Sequence, residues 1–224
     1  MDFFHNVGCV GKITENKRMK DSQDNFRNSI LEFAWSEFVR MGLKKVKVDD
    51  LAAHFSISKR TLYEMFQDKE NLIIECFRQQ FENYRLRNES IKKNAENVLE
   101  VYLGLFIQRL LEIKNVNPVF FEDAFKYPKL MEFFRQTSDQ RNEMFLEVVR
   151  ECVDQGFLQP QFNYKMLLEV FQFQMTNIII YELYKKYDMH DILRTLQVVN
   201  FRGCCTKKGL QILDSKLEDI MGLV

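Results

Sequence analysis

The sequence predicts an all-α fold of about nine or ten helices. Three features carry that expectation. Apolar residues recur at three- and four-residue steps along most of the chain, and no two-residue alternation of the kind a strand needs persists anywhere. Three Pro and eight Gly in 224 residues also leave few breaks.

Residues 1–20 are polar and aperiodic, ending in the basic cluster Lys17, Arg18 and Lys20. They read as a flexible arm, with Met19 the more plausible start of the first domain. From Ser22 a helix is carried by Phe26, Ile30, Phe33, Ala34, Phe38 and Met41, and Gly42 stops it. The connector LKKVKV leads to DDLAAHF, whose opening carboxylates suit the positive end of a helix dipole. SIS then turns the chain into the short helix KRTLYEMF. Asp68 can cap the next helix, which has Leu72, Ile73, Cys76, Phe77, Phe81 and Tyr84 as its stripe and gives way to the polar run RNESIKKNAEN. Residues 95–113 are apolar nearly all round, as in a helix buried inside a bundle. NPVFFEDAFKYP holds a short helix between prolines, and a long helix built on Leu130, Phe134, Phe145, Val148 and Cys152 runs to Gly156. Helices over 164–187 and 189–202 follow the loop QGFLQPQF, and Thr206 can cap the last. The expected organisation is an arm over 1–20, a three-helix unit over 21–67 and a helical bundle over 68–224.

Composition narrows the function classes. Lys plus Arg equals Asp plus Glu at 32 each, so whole-chain charge does not advertise a nucleic-acid partner. Five cysteines form an odd count without CxxC spacing, which argues against a disulfide framework or a zinc site and for a reducing cytoplasm. No apolar run approaches the roughly 18 residues of a membrane span. The segment MDFFHNVGCVGK lacks a signal-peptide core. A cytoplasmic protein with no metal and no cofactor is expected. It is not expected to be an enzyme: His5, His54 and His190 are far apart, and no Gly-rich phosphate loop, GxSxG or HExxH occurs. Adjacent Cys204 and Cys205 could form a redox pair, although inert thiols are commoner.

Segment 48–66 fits a helix-turn-helix. Leu51, Phe55, Ile57, Leu62 and Met65 are apolar where two steeply crossing helices must pack, and Ala52 is small at their closest approach. The turn is too short for antiparallel packing, so the second helix projects from the first. It then offers Lys59, Arg60, Thr61, Tyr63 and Glu64 outward near its N-terminal end, the end that enters a DNA major groove first. From Arg40 to Arg60 six basic residues (Arg40, Lys44, Lys45, Lys47, Lys59, Arg60) face only Asp49 and Asp50. Phosphates feel such a patch within a Debye length of about 10 Å, so a neutral protein with one basic face is a competent DNA ligand.

The stretch VDDLAAHFSISKRTLYEMFQDKENLI resembles the N-terminal signature of the TetR (tetracycline-repressor) family of bacterial transcriptional regulators, and the similarity covers about residues 22–80. The resemblance implies an N-terminal helix-turn-helix DNA-binding domain followed by a helical ligand-binding and dimerisation domain. It places Ser58, Lys59, Arg60 and Thr61 at the start of the recognition helix, and Tyr63 and Lys69 at phosphate-contacting positions. Lys47 and Val48 fall at the start of the motif's first helix. Two residues depart from the family pattern. Ser56 stands where many members have Gly, and a left-handed Ser costs roughly 1 kcal/mol. Lys47 stands where many have a capping Thr, so a hydroxyl cap is missing while a phosphate contact is gained.

The resemblance also implies a small-molecule pocket in the bundle, with Phe106, Arg109, Phe121, Phe125, Phe134, Phe145, Phe171 and Met175 as candidate lining. Glu122, Asp123, Arg141 and Gln174 are further polar candidates, although the commoner reading is ordinary core for the aromatics and a surface or interhelix position for the polar residues. It implies a homodimer through a four-helix bundle of the 164–187 and 206–221 helices. Phe171, Ile178, Tyr181, Leu210, Leu213 and Leu217 are the interface candidates, with intrachain core as the other reading. A dimer suits palindromic half-sites one DNA turn apart, roughly 34 Å. The resulting expectation is a homodimeric repressor of double-stranded operator DNA, released by a small-molecule effector. An activator or ligand-independent regulator of the same fold remains open, as does a helical interaction dimer with lapsed DNA binding.

Overall fold

A computed structural model describes the backbone of residues 8–114 and 116–222, and the side chains of residues 23–108, 110–112 and 116–216. Among these the chain is all-α, as the periodicity predicts. The helices are α1 (Gly8–Met41), α2 (Val48–His54), α3 (Lys59–Phe66), α4 (Lys69–Asn94), α5 (Val98–Lys114), α6 (Val119–Ala124), α7 (Pro128–Asp154), α8 (Tyr164–Ile180), α9 (Met189–Cys204) and α10 (Lys207–Gly222). The β pairing among the described residues is one isolated bridge between Leu158 and Cys205. No helix among them is long and apolar enough to cross a membrane.

Local signals placed most helix ends. Asp68 caps α4 by accepting from the Asn71 amide at 2.7 Å, and Thr206 caps α10 through the Gly209 amide at 3.2 Å. Gly42 follows α1 with a positive φ of 88°. A Cβ there would stand 3.0 Å from Asp123 Oδ2 and 3.1 Å from Val119, so both backbone conformation and space require glycine.

Three boundaries differ from expectation. The α1 backbone is helical from Gly8, well before Ser22, so most of the expected arm continues that helix; residues 1–7 lie outside the described residues. The polar run after Tyr84 does not end α4, which continues to Asn94. Arg85 bridges Glu82 at 2.6 Å and Glu89 at 2.5 Å on one face, and Arg87 reaches Glu112 of α5 at 2.5 Å. Such pairs at helical spacing keep a polar segment helical. The helix expected over 164–187 stops at Ile180, where Glu182 turns left-handed and a 3-10 turn over Leu183–Lys185 follows. The break brings Tyr184 inside, where its hydroxyl donates to Glu122 Oε2 at 2.9 Å.

Two apolar clusters organise the helices. One joins Ile30, Ala34 and Phe38 of α1 to Leu51, Leu62 and Phe66 of α2 and α3 and to Leu72 and Ile73 of α4. It does not stop at residue 68, because Phe120, Ala124 and Leu130 of α6 and α7 belong to it. The other gathers Leu99, Leu103 and Phe106 of α5 with Val148, Cys152, Ile178, Leu193, Phe201 and Leu213 from α7 to α10.

Between the clusters, side chains of one part satisfy backbone groups of the other. α7 begins at Tyr127 and Pro128 without a capping side chain of its own. Glu70 of α4 supplies the cap instead, accepting from the amides of Lys129 at 2.5 Å and Leu130 at 3.3 Å. Lys129 Nζ returns an ion pair to Asp68 at 2.7 Å. Burial pushes the Asp68 carboxyl up, but the bonds from Lys129 and the Asn71 amide outweigh it and hold it below its ordinary value. On the other flank, buried Asp123 of α6 accepts from the Lys44 amide at 2.8 Å, and Asn117 bonds the Val39 and Arg40 carbonyls at the end of α1.

Candidate nucleic-acid interface

The sequence SISKRT builds the tip of the motif. After α2 the chain reverses through Ser56 at a φ of 55°, the left-handed geometry expected where relatives use Gly. The Ser56 and Ile57 amides bond back to Ala53 and Ala52 at 3.0 Å each and close the turn. Ser58 then caps α3, accepting from the Thr61 amide at 3.0 Å, and its hydroxyl lies 2.9 Å from that of Thr61. Leu62 and Phe66 are buried beneath, and the Arg27 guanidinium lies 4.8 Å over the Phe66 ring. This packing fixes α3 as a short rod with its N-terminal residues outward.

Lys59 and Arg60 emerge there, Arg60 with 88% of its side chain exposed. Both are engaged within the motif. Lys59 Nζ pairs with Asp49 of α2 at 2.9 Å, which raises its pKa, and Arg60 Nε pairs with Glu64 at 2.9 Å. Surface pairs of this kind are worth about 0–1 kcal/mol, so either cation can exchange its carboxylate for a phosphate or a base edge at little cost. Glu64 as partner was readable from its i+4 spacing to Arg60. Asp49 was not, because it comes from the other helix. Lys44, Lys45 and Lys47 are exposed on the turn before α2 and extend the cationic face. Lys47 is the N-cap residue of α2 and makes no side-chain cap, as expected of a Lys in a Thr position.

Three of the predicted contact residues sit differently. Val48 is buried at 6% exposure, a core residue beneath the start of α2. Tyr63 is half-buried against the same core. Lys69 is half-buried with its ammonium on the Lys44 carbonyl at 3.2 Å; desolvation lowers its pKa, and it braces the α1–α2 turn.

The residues predicted for the bundle are also redistributed. Phe106 lies in the α5–α10 core, with Phe145, Phe171 and Met175 half-buried against it. Phe134 belongs to the other cluster, Phe121 touches both, and Phe125 is exposed. Glu122 and Asp123 serve the junction, Arg141 is exposed, and Gln174 Oε1 is buried. The side chains of Arg109 and Leu217 lie outside the described residues. Among the interface candidates Ile178 and Leu213 are intrachain core at 5% and 1% exposure, with Phe171 and Leu210 packed against it. Tyr181 is exposed, and it continues a stripe of Met166, Val170, Phe173 and Ile180 that α8 turns to solvent. From Met166 to Ile180 the stripe is spaced by four, three and seven residues, which keeps it on one helical face, so the signal was present. The sequence could not say which of two apolar faces of α8 would be inside.

A short capped helix carrying two exposed cations, set across a left-handed turn on a buried scaffold, has the geometry of a helix-turn-helix. The family profile described as bacterial regulatory proteins, tetR family, matches residues 30–76. Over 143 residues the chain is 26% identical to the HTH-type transcriptional repressor KstR2 of Mycolicibacterium smegmatis, covering 61% of this chain and 69% of that one. The ketosteroid transcriptional regulator KstR2 of Mycobacterium tuberculosis has the same fold at a TM-score of 0.55 and 19% identity, over 81% of this chain and 95% of that one. A Saccharomonospora viridis regulator solved with choline gives 0.58 and 19%, over 78% and 96%. The chain is thus similar to TetR-family transcriptional regulators in its N-terminal sequence and in its fold. Proteins of this family are regulators and not enzymes.

Replacing Ser56 by Gly removes the left-handed penalty while adding unfolded-state entropy, and should raise stability by about 0.5 kcal/mol. Urea unfolding of the two proteins measures this as a higher midpoint at unchanged slope.

Proposed function

We propose that the protein is a homodimeric repressor that binds a palindromic operator through α2 and α3 and leaves it when a small molecule binds the helical domain. The observation that carries this reading is the outward N-terminus of α3, with Lys59 and Arg60 held only by surface ion pairs. Lys59, Arg60 and Thr61 meet base edges and nearby phosphates, while Lys44, Lys45 and Lys47 meet the flanking backbone. The repressor relatives support repression over activation. Such a protein works beside the chromosome, in the bacterial cytoplasm.

Release has a physical route. The cap of Glu70 on α7 and the bond of Asp123 to the Lys44 amide tie the motif to the helical domain, so a shift of α6 or α7 moves it. An effector shifts the balance only if it binds the two arrangements with different affinity.

Dimerisation follows from the exposed α8 stripe, because monomers rarely leave so much contiguous apolar surface in water. The outward residues described for α10, including Lys207, Lys208, Gln211, Asp214 and Lys216, are polar or charged, so α8 supplies most of the apolar contact.

Replacing Lys59 and Arg60 together by Ala should weaken operator binding and flatten its dependence on log salt by about 2, one unit per lost phosphate contact. Fluorescence anisotropy on the upstream DNA of its own gene, over a salt series, reads both. Equal affinity of variant and wild type would sink the DNA-reading assignment. Phe173→Glu combined with Tyr181→Glu should give a monomer by sedimentation equilibrium with unchanged helicity. A persistent dimer would place the interface elsewhere.

A further inference from the structure

A cleft of about 370 Å³ opens between α4 and α7, outside the bundle core. It is lined by buried Ile74 and exposed Arg78 of α4 and by Pro128, Lys129, Glu132, Phe133 and Gln136 of α7. The Arg78 guanidinium lies 5.6 Å from the Phe133 ring centroid, and among the described residues its hydrogen bond is that of Nη1 to Glu75, at 2.7 Å, out of five N–H donors. Glu132 is the one carboxylate of the lining, and its two oxygens are taken by Arg135 and Gln136. The hydrogen-bonding groups left over at the cleft are therefore Arg78, Lys129 and the neutral Gln136 amide, beside an apolar and aromatic lining. That combination suits a small molecule with one carboxylate and an apolar body.

The cleft is wired to the recognition unit by two routes. Lys129 is the partner of Asp68, so an anion that takes the Lys129 ammonium draws it from the cap residue of α4, two positions past α3. Phe133 neighbours Phe134 at 6.1 Å, Phe134 meets Phe77 edge-on at 4.9 Å, and Phe77 meets Trp35 of α1 edge-on at 5.2 Å. We infer that the α4–α7 cleft is an effector site for an amphipathic monocarboxylate, whose occupancy loosens the Asp68–Lys129 tie and displaces α1 through this ring contact chain. The inference rests on the reading of the protein as a ligand-released repressor.

Trp35 is the single tryptophan, so its emission reports the far end of the chain. The test titrates full-length protein with 4-phenylbutyrate, and with 4-phenylbutanol as the uncharged match. Phenylbutyrate should change Trp35 emission saturably and weaken operator binding. The alcohol, Arg78→Gln and the cleft-filling Gln136→Trp should each weaken the response by about tenfold. Because Gln136→Trp adds a second indole, that variant is read by calorimetric titration and operator release. Gln136 is exposed, so this variant keeps the test open should Arg78→Gln fold poorly. Absence of a saturable response in wild type, or equal responses in wild type and both variants, overturns the proposal. Salt-dependent operator binding without ligand, measured on the same samples, separates failure of this site from failure of the repressor reading.

Discussion

The hydrogen bonds that the Glu70 carboxylate accepts from the first amides of α7 hold the two halves of the molecule in register. A helix start leaves amides unsatisfied, and α7 begins with Tyr127 and a proline that cannot cap it. The missing acceptor comes from the first turn of α4, which follows α3 after a two-residue link. Asp123 does the reverse on the other flank, reaching from α6 to the Lys44 amide in the turn before α2. Neither α7 nor the α1–α2 turn is complete without a carboxylate from the other side. The motif therefore cannot move independently of the helical domain without exposing unpaired polar groups.

That constraint explains how cations at the junction are used. Lys69 and Lys129, which sequence position would assign to phosphates or to solvent, are spent on the Lys44 carbonyl and on Asp68. Lys59 and Arg60 lie farther out and are held only by exposed pairs, which water and salt weaken. Cations at the junction thus brace the motif, whereas those at the start of α3 are held only by exposed pairs.

The parts legible in sequence were those with local causes. The caps of Asp68 and Thr206 and the left-handed Ser56 act within a few residues of themselves, and each stands where the pattern put it. The helix-turn-helix was legible for the same reason, since its turn and packing positions fall within nineteen consecutive residues, 48–66. Assignments that depended on distant partners were not. Val48, Ile178 and Leu213 could lie outside or inside by periodicity, and tertiary packing put them inside. Asp123 resembled a ligand-orienting acid because its true partner, the Lys44 amide, is 79 residues away. The end of α8 at Ile180 has no Gly or Pro to announce it; burial of Tyr184 against Glu122 sets it.

If junction carboxylates position the motif, removing one should disturb DNA binding while every side chain proposed to meet DNA is kept. The direct measurement is operator affinity of an Asp123→Ala variant, taken as a salt series beside wild type. The Lys44 amide then loses its acceptor, and affinity should fall by about tenfold while the salt slope stays the same, because the phosphate contacts are all still present. Unchanged affinity in a folded variant would contradict the account, and would mean that the motif is positioned by its apolar core alone.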